Sequence, residues 1–303
     1  MRFVPNPTQP KIFVEKIGHN SPYHFRKLLE CWQDIQQHSF KDLDLIVDFR
    51  NCTFLAHNGV AFLGGLAQLI QAGGGRVSFD WQTLSPAIHM NLAQNGFLYN
   101  FGEKRLPWNG NSIPYRKDTH HKRKALMDYL RNQWLGKGWV NISTKLQNAI
   151  AGKVWEIYDN AFLHSQSEIG VFSCGQHYPK QKKLHLTVID FGIGIPTKVR
   201  SLPKNARLST RKALEWAFVE GHSTLSGISR GMGLHLLWDF IKHNHGELKL
   251  FSNDGYMRID RDKIKYETQA VNFSGAFLDI AFQCDEAYYC LESEVPSEQK
   301  SWF

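Results

Sequence analysis

The chain has 303 residues, of which 42% are hydrophobic, which is enough to bury the cores of two modest domains. The five cysteines are scattered and form no CxxC pair, so the sequence favours neither a disulfide framework nor a structural zinc site and fits the cytoplasm. The formal net charge of +8 leaves phosphate-bearing partners open, whereas the lack of a signal core and of a long apolar run excludes a membrane span.

The first hundred residues carry alternating strand and helix patterns. They predict a strand at 43–49, a helix at 60–72 that ends at three glycines, a strand at 77–81 and a helix that opens at Ser85-Pro86. In this order, residues 40–100 resemble the STAS fold of anti-sigma factor antagonists. The resemblance implies an α/β docking domain, which we assign to residues 1–100.

The turn before the first of these helices departs from that family. Members that are switched by phosphorylation carry Asp-Ser-Ser-Gly there, and this chain has Ala56, His57, Asn58 and Gly59. No hydroxyl is left to accept a phosphate, so we expect a docking surface. A solvated or locally hydrogen-bonded turn histidine is favoured over a phosphoacceptor role for His57.

Residues 101–140 are basic and rich in turn residues. Nine lysines and arginines stand against three acids between Gly102 and Gly138, and His120–Lys124 is the densest part. The prolines and glycines predict irregular structure, and we assign the segment as a basic linker. A solvated surface is favoured over contact with a nucleic acid, which stays open as a partner.

A long helix is predicted from Asn141 to Ser165, with Ser143 as its cap. Glu156 and Asn160 are four residues apart, so their side chains stack on one face of this helix. A carboxylate and a carboxamide placed in this way can hold Mg²⁺, its water and a phosphate oxygen. A simple solvated polar face is the alternative for this pattern taken alone.

Two glycine-rich segments follow. Asp190, at the end of a predicted strand, can accept a hydrogen bond from an adenine amino group, while Gly192 and Gly194 let the backbone approach the ring. Thr197 replaces the third glycine of a Rossmann fingerprint, and no kinase-type catalytic loop precedes Asp190. Residues 221–233 then open onto a predicted helix at 234–241, where backbone amides and Arg230 can bind a triphosphate.

Together these three clusters resemble the GHKL ATPase superfamily over residues 141–283. The resemblance implies a Bergerat α/β sandwich, with a mixed sheet under helices and a lid over ATP, in a domain at 141–303 that follows the STAS-like one. Glu156 would be the general base and Asn160 the magnesium ligand. The ATP-binding set implied is Asn160, Asp190, Gly192, Gly194, Thr224, Arg230, Gly231, Gly233 and Gly275.

Within the superfamily, Leu163 stands where sensor histidine kinases carry a lysine and no phosphoacceptor histidine box is present, which disfavours histidine autokinase activity. The stretches 160–165 and 229–234 look closer to those of anti-sigma kinases. The leading hypothesis is a Mg-ATP-binding switch that hydrolyses ATP slowly and signals to a protein partner. A serine kinase acting in trans is the alternative, and a nucleic-acid-associated ATPase is weaker. A homodimer stays open.

Overall fold

The computed structural model describes residues 1–6, 9–19, 21–218, 235–261 and 263–295. Within them the chain forms two β-sheets with α-helices packed on their faces. The predicted mixed α/β class, of the α+β type, is therefore confirmed. No helix in these ranges combines the length and apolar character that crossing a bilayer requires.

The first sheet has four strands in the order β1-β2-β3-β4. Its strands are β1 (Arg2–Val4), β2 (Lys11–Phe13), β3 (Asp44–Asp48) and β4 (Arg76–Asp80). The first pair is antiparallel and the other two are parallel. The helices of this half are α1 (Pro22–Ile35), α2 (His57–Ala72), α3 (Pro86–Gln94) and α4 (Phe97–Asn100). The predicted β3, α2, β4 and α3 are present, whereas β1, β2 and α1 were not predicted.

The second sheet has five strands in the order β5-β6-β7-β9-β8. Its strands are β5 (Ser112–Asp118), β6 (Val171–Tyr178), β7 (Lys183–Asp190), β8 (Glu247–Asp260) and β9 (Lys263–Gln283). Within the described residues, each pair of neighbouring strands in this second sheet is antiparallel. The expectation of a mixed sheet is therefore wrong for these strands.

The helices of the second half include the long helix predicted from sequence. They are α5 (Arg123–Asp128), α6 (Thr144–His164), α7 (Ile195–Arg200), α8 (Thr210–Phe218) and α9 (His235–Asn244). The Ser143 hydroxyl accepts a hydrogen bond from the Leu146 amide at 3.1 Å, which caps α6 as predicted. A π-helical turn, Tyr129–Trp134, continues α5.

The segment 101–140 is not irregular throughout, and the linker prediction is wrong on this point. It contains β5, which pairs with β6, and the helical turns from α5 onward. Pro114 interrupts the strand pattern in the sequence, but it lies in an edge strand where the register shifts between Ile113 and Arg116. An edge strand tolerates proline because one side of its backbone needs no partner. The domain boundaries at 100 and 140 stay predictions.

The five-stranded sheet is covered on both faces. Helices α6 and α9 pack on one face around Val154, Leu186 and Ile280. Helices α1 and α2 of the first half cover the other face, in one core with Phe172, Phe251 and Phe277. A Cβ added to Gly65 of α2 would lie 2.2 Å from the Phe191 ring, so glycine permits this close approach of helix and sheet.

Candidate functional site

The loop after β7 is fixed against the C-terminal end of α6. The Ile193 amide donates to the Ser165 carbonyl oxygen at 2.8 Å. A Cβ added to Gly192 would lie 2.0 Å from that same oxygen. Only glycine fits at this position without a shift of backbone. Two of the predicted clusters, the helix with Glu156 and Asn160 and the loop after Asp190, are therefore in direct contact through their ends.

Asp190 lies at the base of this loop with only 4% of its surface exposed. Its Oδ1 accepts a hydrogen bond from the Gly192 amide at 2.9 Å. Burial raises the pKa of the Asp190 carboxyl to about 7, against the lowering effect of hydrogen bonds from the Gly192 and Ala276 amides. A carboxyl group whose charge is weakly solvated gains from a ligand that donates to it.

Two further glycines of the predicted set border Asp190. Gly194 has a φ of +84°, which favours glycine, and a Cβ there would meet the Asn253 side chain. Gly275 lies on β9, where a Cβ would come within 2.3 Å of the Asp190 carbonyl oxygen. Asp190, Gly192, Gly194 and Gly275 thus form one continuous patch of backbone at the end of the sheet.

Ser252 and Asn253 of β8 hold this loop in place, and sequence reasoning missed both. The Ser252 hydroxyl donates to the Gly275 carbonyl at 2.6 Å and accepts from the Ile195 amide at 2.8 Å. The Asn253 amide donates to the Ile193 carbonyl at 3.1 Å, and its Oδ1 accepts from the Thr197 amide. The left-handed φ of +51° at Asn253 accompanies a break in the β8–β9 register, a feature that the sequence does not signal.

Glu156 and Asn160 are half-buried on α6, and their four-residue spacing in a helix is as predicted. At about 1.5 Å per residue, Asn160 lies about 7.5 Å along the axis from Ser165, and Glu156 about 13.5 Å. The Glu156 Oε1 accepts from the Lys153 ammonium at 2.8 Å, with both side chains about a third exposed. Asn160 is therefore the nearer of the two to the loop at Asp190.

The N-terminus of α9 points to the same end of the sheet. At its C-terminal end, Asn244 exchanges two hydrogen bonds with the backbone of Gln283. Gln283 pairs with Lys183, at the opposite end of β7 from Asp190. Since α9 packs along α6 and the sheet, it begins toward the Asp190 end. Four predicted residues of the segment before α9, Thr224, Arg230, Gly231 and Gly233, lie outside the described residues.

The basic stretch His120–Lys124 contacts α6 rather than standing free of it. His121 Nε2 contacts Asp159 Oδ1, and the His121 ring lies 4.8 Å from that of Trp155. The Arg123 guanidinium lies 5.8 Å from the same Trp155 ring. Asp159 is therefore largely covered. Arg123 therefore places a positive charge beside the helix that carries Glu156 and Asn160.

The turn before α2 does not form the solvated surface that the sequence predicts. Ala56, His57 and Asn58 are each at most 2% exposed. His57 lies between α2 and the five-stranded sheet, where its Nε2 is 2.7 Å from Asp279 Oδ1 and its Nδ1 is 2.9 Å from the Tyr178 hydroxyl. The expectation of a solvated or locally bonded histidine is wrong because α2 packs against β6 and β7.

Comparison with known proteins adds no family assignment. No protein-family model matches the chain, and no curated protein matches it. The resemblances to STAS domains and to GHKL ATPases therefore stay predictions from the sequence motifs.

Proposed function

We propose that the chain binds Mg-ATP at the end of the five-stranded sheet and hydrolyses it slowly as a regulatory switch. The single observation that carries the proposal is the convergence of the C-terminal part of α6, the loop after β7 and the start of α9 at one end of the sheet. The first two of these segments carry GHKL-like clusters, and the third cluster, at 221–233, precedes α9 in sequence and lies outside the described residues.

Adenine would be recognised by Asp190. The buried carboxyl group accepts the exocyclic amino group, while Gly192 and Gly275 let the ring approach backbone. Guanine presents a carbonyl oxygen at the equivalent position, which is an acceptor and is repelled by a carboxylate. The proposed site therefore favours ATP over GTP.

The phosphates and Mg²⁺ would lie between α6 and the start of α9. Asn160 would supply an oxygen ligand to Mg²⁺. Thr224, Arg230, Gly231 and Gly233, which lie outside the described residues, are the candidates from sequence for binding the phosphates. Glu156 takes a proton from the attacking water, which adds to the γ-phosphorus as the bond to the β–γ bridging oxygen breaks.

The first half of the chain would read the nucleotide state. Helix α2 contacts β6 and β7, and β7 ends at Asp190. Because the turn at Ala56–Asn58 is buried, a protein partner would dock on another, exposed face of this half. We place the switch in the cytoplasm, as one chain or as a homodimer. A serine kinase that acts on another protein uses the same ATP site and differs only in the phosphate acceptor.

Binding is tested by calorimetry with Mg-ATP and Mg-GTP on the full chain. We expect saturable ATP binding, GTP binding at least tenfold weaker, and at least a tenfold loss in Asp190→Ala. Asp34→Asn changes an exposed carboxylate of α1 and is the matched control, which should bind as wild type does. No saturable ATP binding by wild type, or equal affinity for ATP and GTP, contradicts the proposal.

The phosphate acceptor is tested with ATP labelled in the γ-phosphate. The chain is incubated alone and with proteins from neighbouring genes. Release of free labelled phosphate in both mixtures supports the switch. Label transferred to a second protein supports the kinase. Binding to duplex DNA that weakens steeply with salt would instead favour the nucleic-acid-associated ATPase.

A further inference from the structure

A buried polar cluster joins the two halves of the molecule on the face of the sheet opposite the proposed ATP site. His57 comes from the N-terminus of α2, whereas His185 and Asp279 come from the adjacent strands β7 and β9. All three are at most 2% exposed. They lie beside a hydrophobic core that includes the aromatic rings of Phe251 and Phe277.

The donor atoms of the three side chains are close enough to share one ion. One donor atom from each lies within 4.8 Å of the others. His57 Nε2 is 2.7 Å from Asp279 Oδ1, and His185 Nδ1 is 3.2 Å from Asp279 Oδ2. Ligand atoms bound tetrahedrally to zinc at about 2.0–2.1 Å are separated by about 3.3 Å. The widest pair of donor atoms, at most 4.8 Å apart, would therefore have to close by up to about 1.5 Å, shared between two side chains.

The charges around Asp279 favour a cation. Its ion-pair partners in the described part of the chain are the two imidazole rings. The nearby Lys249 ammonium, itself 1% exposed, is engaged by Glu247 at 2.5 Å. A buried carboxylate is costly unless paired, so a divalent ion at this point would offset a charge that no arginine or lysine neutralises in the described chain.

Two neighbouring groups fit the surroundings of a metal site. His19 stacks on Tyr178, and its ring centre is 4.7 Å from that of His185. The His19 Nε2 contacts Gln181 Oε1 at 2.7 Å, which leaves Nδ1 as the free acceptor of the neutral ring, and this buried Nδ1 has no hydrogen-bond partner among the described residues. His19 could supply a fourth ligand by rotation of its side chain. The Tyr178 hydroxyl is hydrogen-bonded to His57 Nδ1, and the Thr187 hydroxyl donates to Asp279 Oδ1. Hydrogen bonds of this kind orient metal ligands.

We propose that His57, His185 and Asp279 form a structural site for a divalent transition metal of the zinc type, which clips α2 of the first half to the sheet of the second. Two imidazoles and one carboxylate suit zinc better than Mg²⁺ or Ca²⁺, which prefer oxygen ligands. Burial of all three ligands fits a closed, structural site rather than a catalytic one. The site is independent of ATP and lies on the other face of the sheet.

The test uses the full chain, treated with EDTA, dialysed, and given one equivalent of Zn²⁺ or Co²⁺ without nucleotide. After gel filtration, we expect wild type to keep about one metal per chain and Co²⁺ to show visible d–d absorption bands. The retained metal should fall at least tenfold in His57→Ala and in Asp279→Asn. His38→Ala, at an exposed histidine of the first half, should keep the full amount.

A ligand exchange keeps the test decisive if a variant folds poorly. His57→Cys supplies a thiolate, so its Co²⁺ complex should gain a sulfur-to-metal charge-transfer band in the near ultraviolet. Near-ultraviolet circular dichroism reports the fold of each variant. If wild type keeps no metal, or if Asp279→Asn keeps as much as wild type, the three side chains form only a hydrogen-bonded clasp and the proposal is wrong.

Discussion

Gly192 lies against the carbonyl oxygen of Ser165 so closely that a Cβ would come within 2.0 Å of it. The contact joins the loop after β7 to the end of α6, so the position of Asp190 depends on the position of the helix that carries Asn160. Both partners in this contact are backbone atoms. Rotation of a side chain therefore could not relieve the clash that a Cβ at position 192 would create.

Gly192→Ala should lower the free energy of unfolding by about 1–3 kcal/mol, because overpacking against a backbone atom forces a shift. We also expect at least a tenfold loss of ATP affinity as the loop moves away from α6. Urea denaturation and calorimetry measure the two effects. Gly152→Ala is the matched control in α6, since a Cβ there would meet nothing within 4 Å.

The control variant should itself change the free energy of unfolding, in the opposite direction. Alanine is favoured over glycine in a helix interior, so Gly152→Ala should raise the free energy of unfolding by up to about 1 kcal/mol. If Gly192→Ala is as stable as wild type and binds ATP normally, the loop is not held by this contact.

Asp190→Asn should separate stability from function. The pKa of Asp190 is raised from 3.8 to about 7 in the folded chain, so between these pH values the folded state holds a proton that the unfolded state has released. Stability contributed by this group is therefore lost as the pH rises, by up to about 1.4 kcal/mol per pH unit. Asparagine does not titrate, so the variant should gain stability relative to wild type from pH 4 to pH 7.

The measurement is urea denaturation of both proteins at pH 4.5, 5.5, 6.5 and 7.5 without nucleotide. ATP affinity should meanwhile fall at least tenfold, because the amide nitrogen of asparagine donates where the adenine amino group also donates. A difference in stability that is constant with pH would show that the Asp190 carboxyl is ionised throughout this range.

The local elements of the site were readable from sequence because they depend on neighbours along the chain. The apolar spacing of α6, the Ser143 cap and the strand that ends at Asp190 all follow from residues within one element. Strand β5 was missed because Pro114 masks it, and only the edge position of the strand makes that proline acceptable.

The contacts that assemble the site could not be predicted, because they join residues far apart in sequence. His57 meets Asp279 across 222 positions, and Asn253 meets the loop at Ile193 across 60. Nothing in the turn Ala56–Asn58 indicates that it will be buried against the second sheet. The glycines Gly64 and Gly65 within α2 were the available signal, since a helix with two adjacent small residues can approach another surface closely.

Gly65→Ala should show that the first half of the chain affects the site from a distance. The added Cβ would meet the Phe191 ring at 2.2 Å, and that ring is already packed against Trp32 and Phe273. Because Phe191 directly follows Asp190, its displacement moves the carboxyl group. We expect a loss of about 1–3 kcal/mol in stability and a several-fold loss of ATP affinity by calorimetry.

The control for this change is Gln71→Ala, at an exposed position of the same helix, which should alter neither quantity appreciably. A Gly65→Ala protein that is destabilised but binds ATP as wild type does would show that the two halves pack together without communicating. That outcome would remove the support for a switch read by the first half while leaving ATP binding intact.

Glu156→Gln and Asn160→Ala should affect different steps of the proposed reaction. Glutamine keeps the shape of Glu156 but cannot accept the proton of the attacking water, so ATP turnover should fall by about 10²–10⁴-fold while Mg-ATP affinity changes less than threefold.

Asn160→Ala removes a metal ligand, so it should weaken ATP binding in Mg²⁺ and have little effect in EDTA. Phosphate release and calorimetry with and without Mg²⁺ measure the two effects. Turnover by Glu156→Gln at the wild-type rate would mean that another group activates the water, and equal losses in Mg²⁺ and EDTA would remove Asn160 from the metal site.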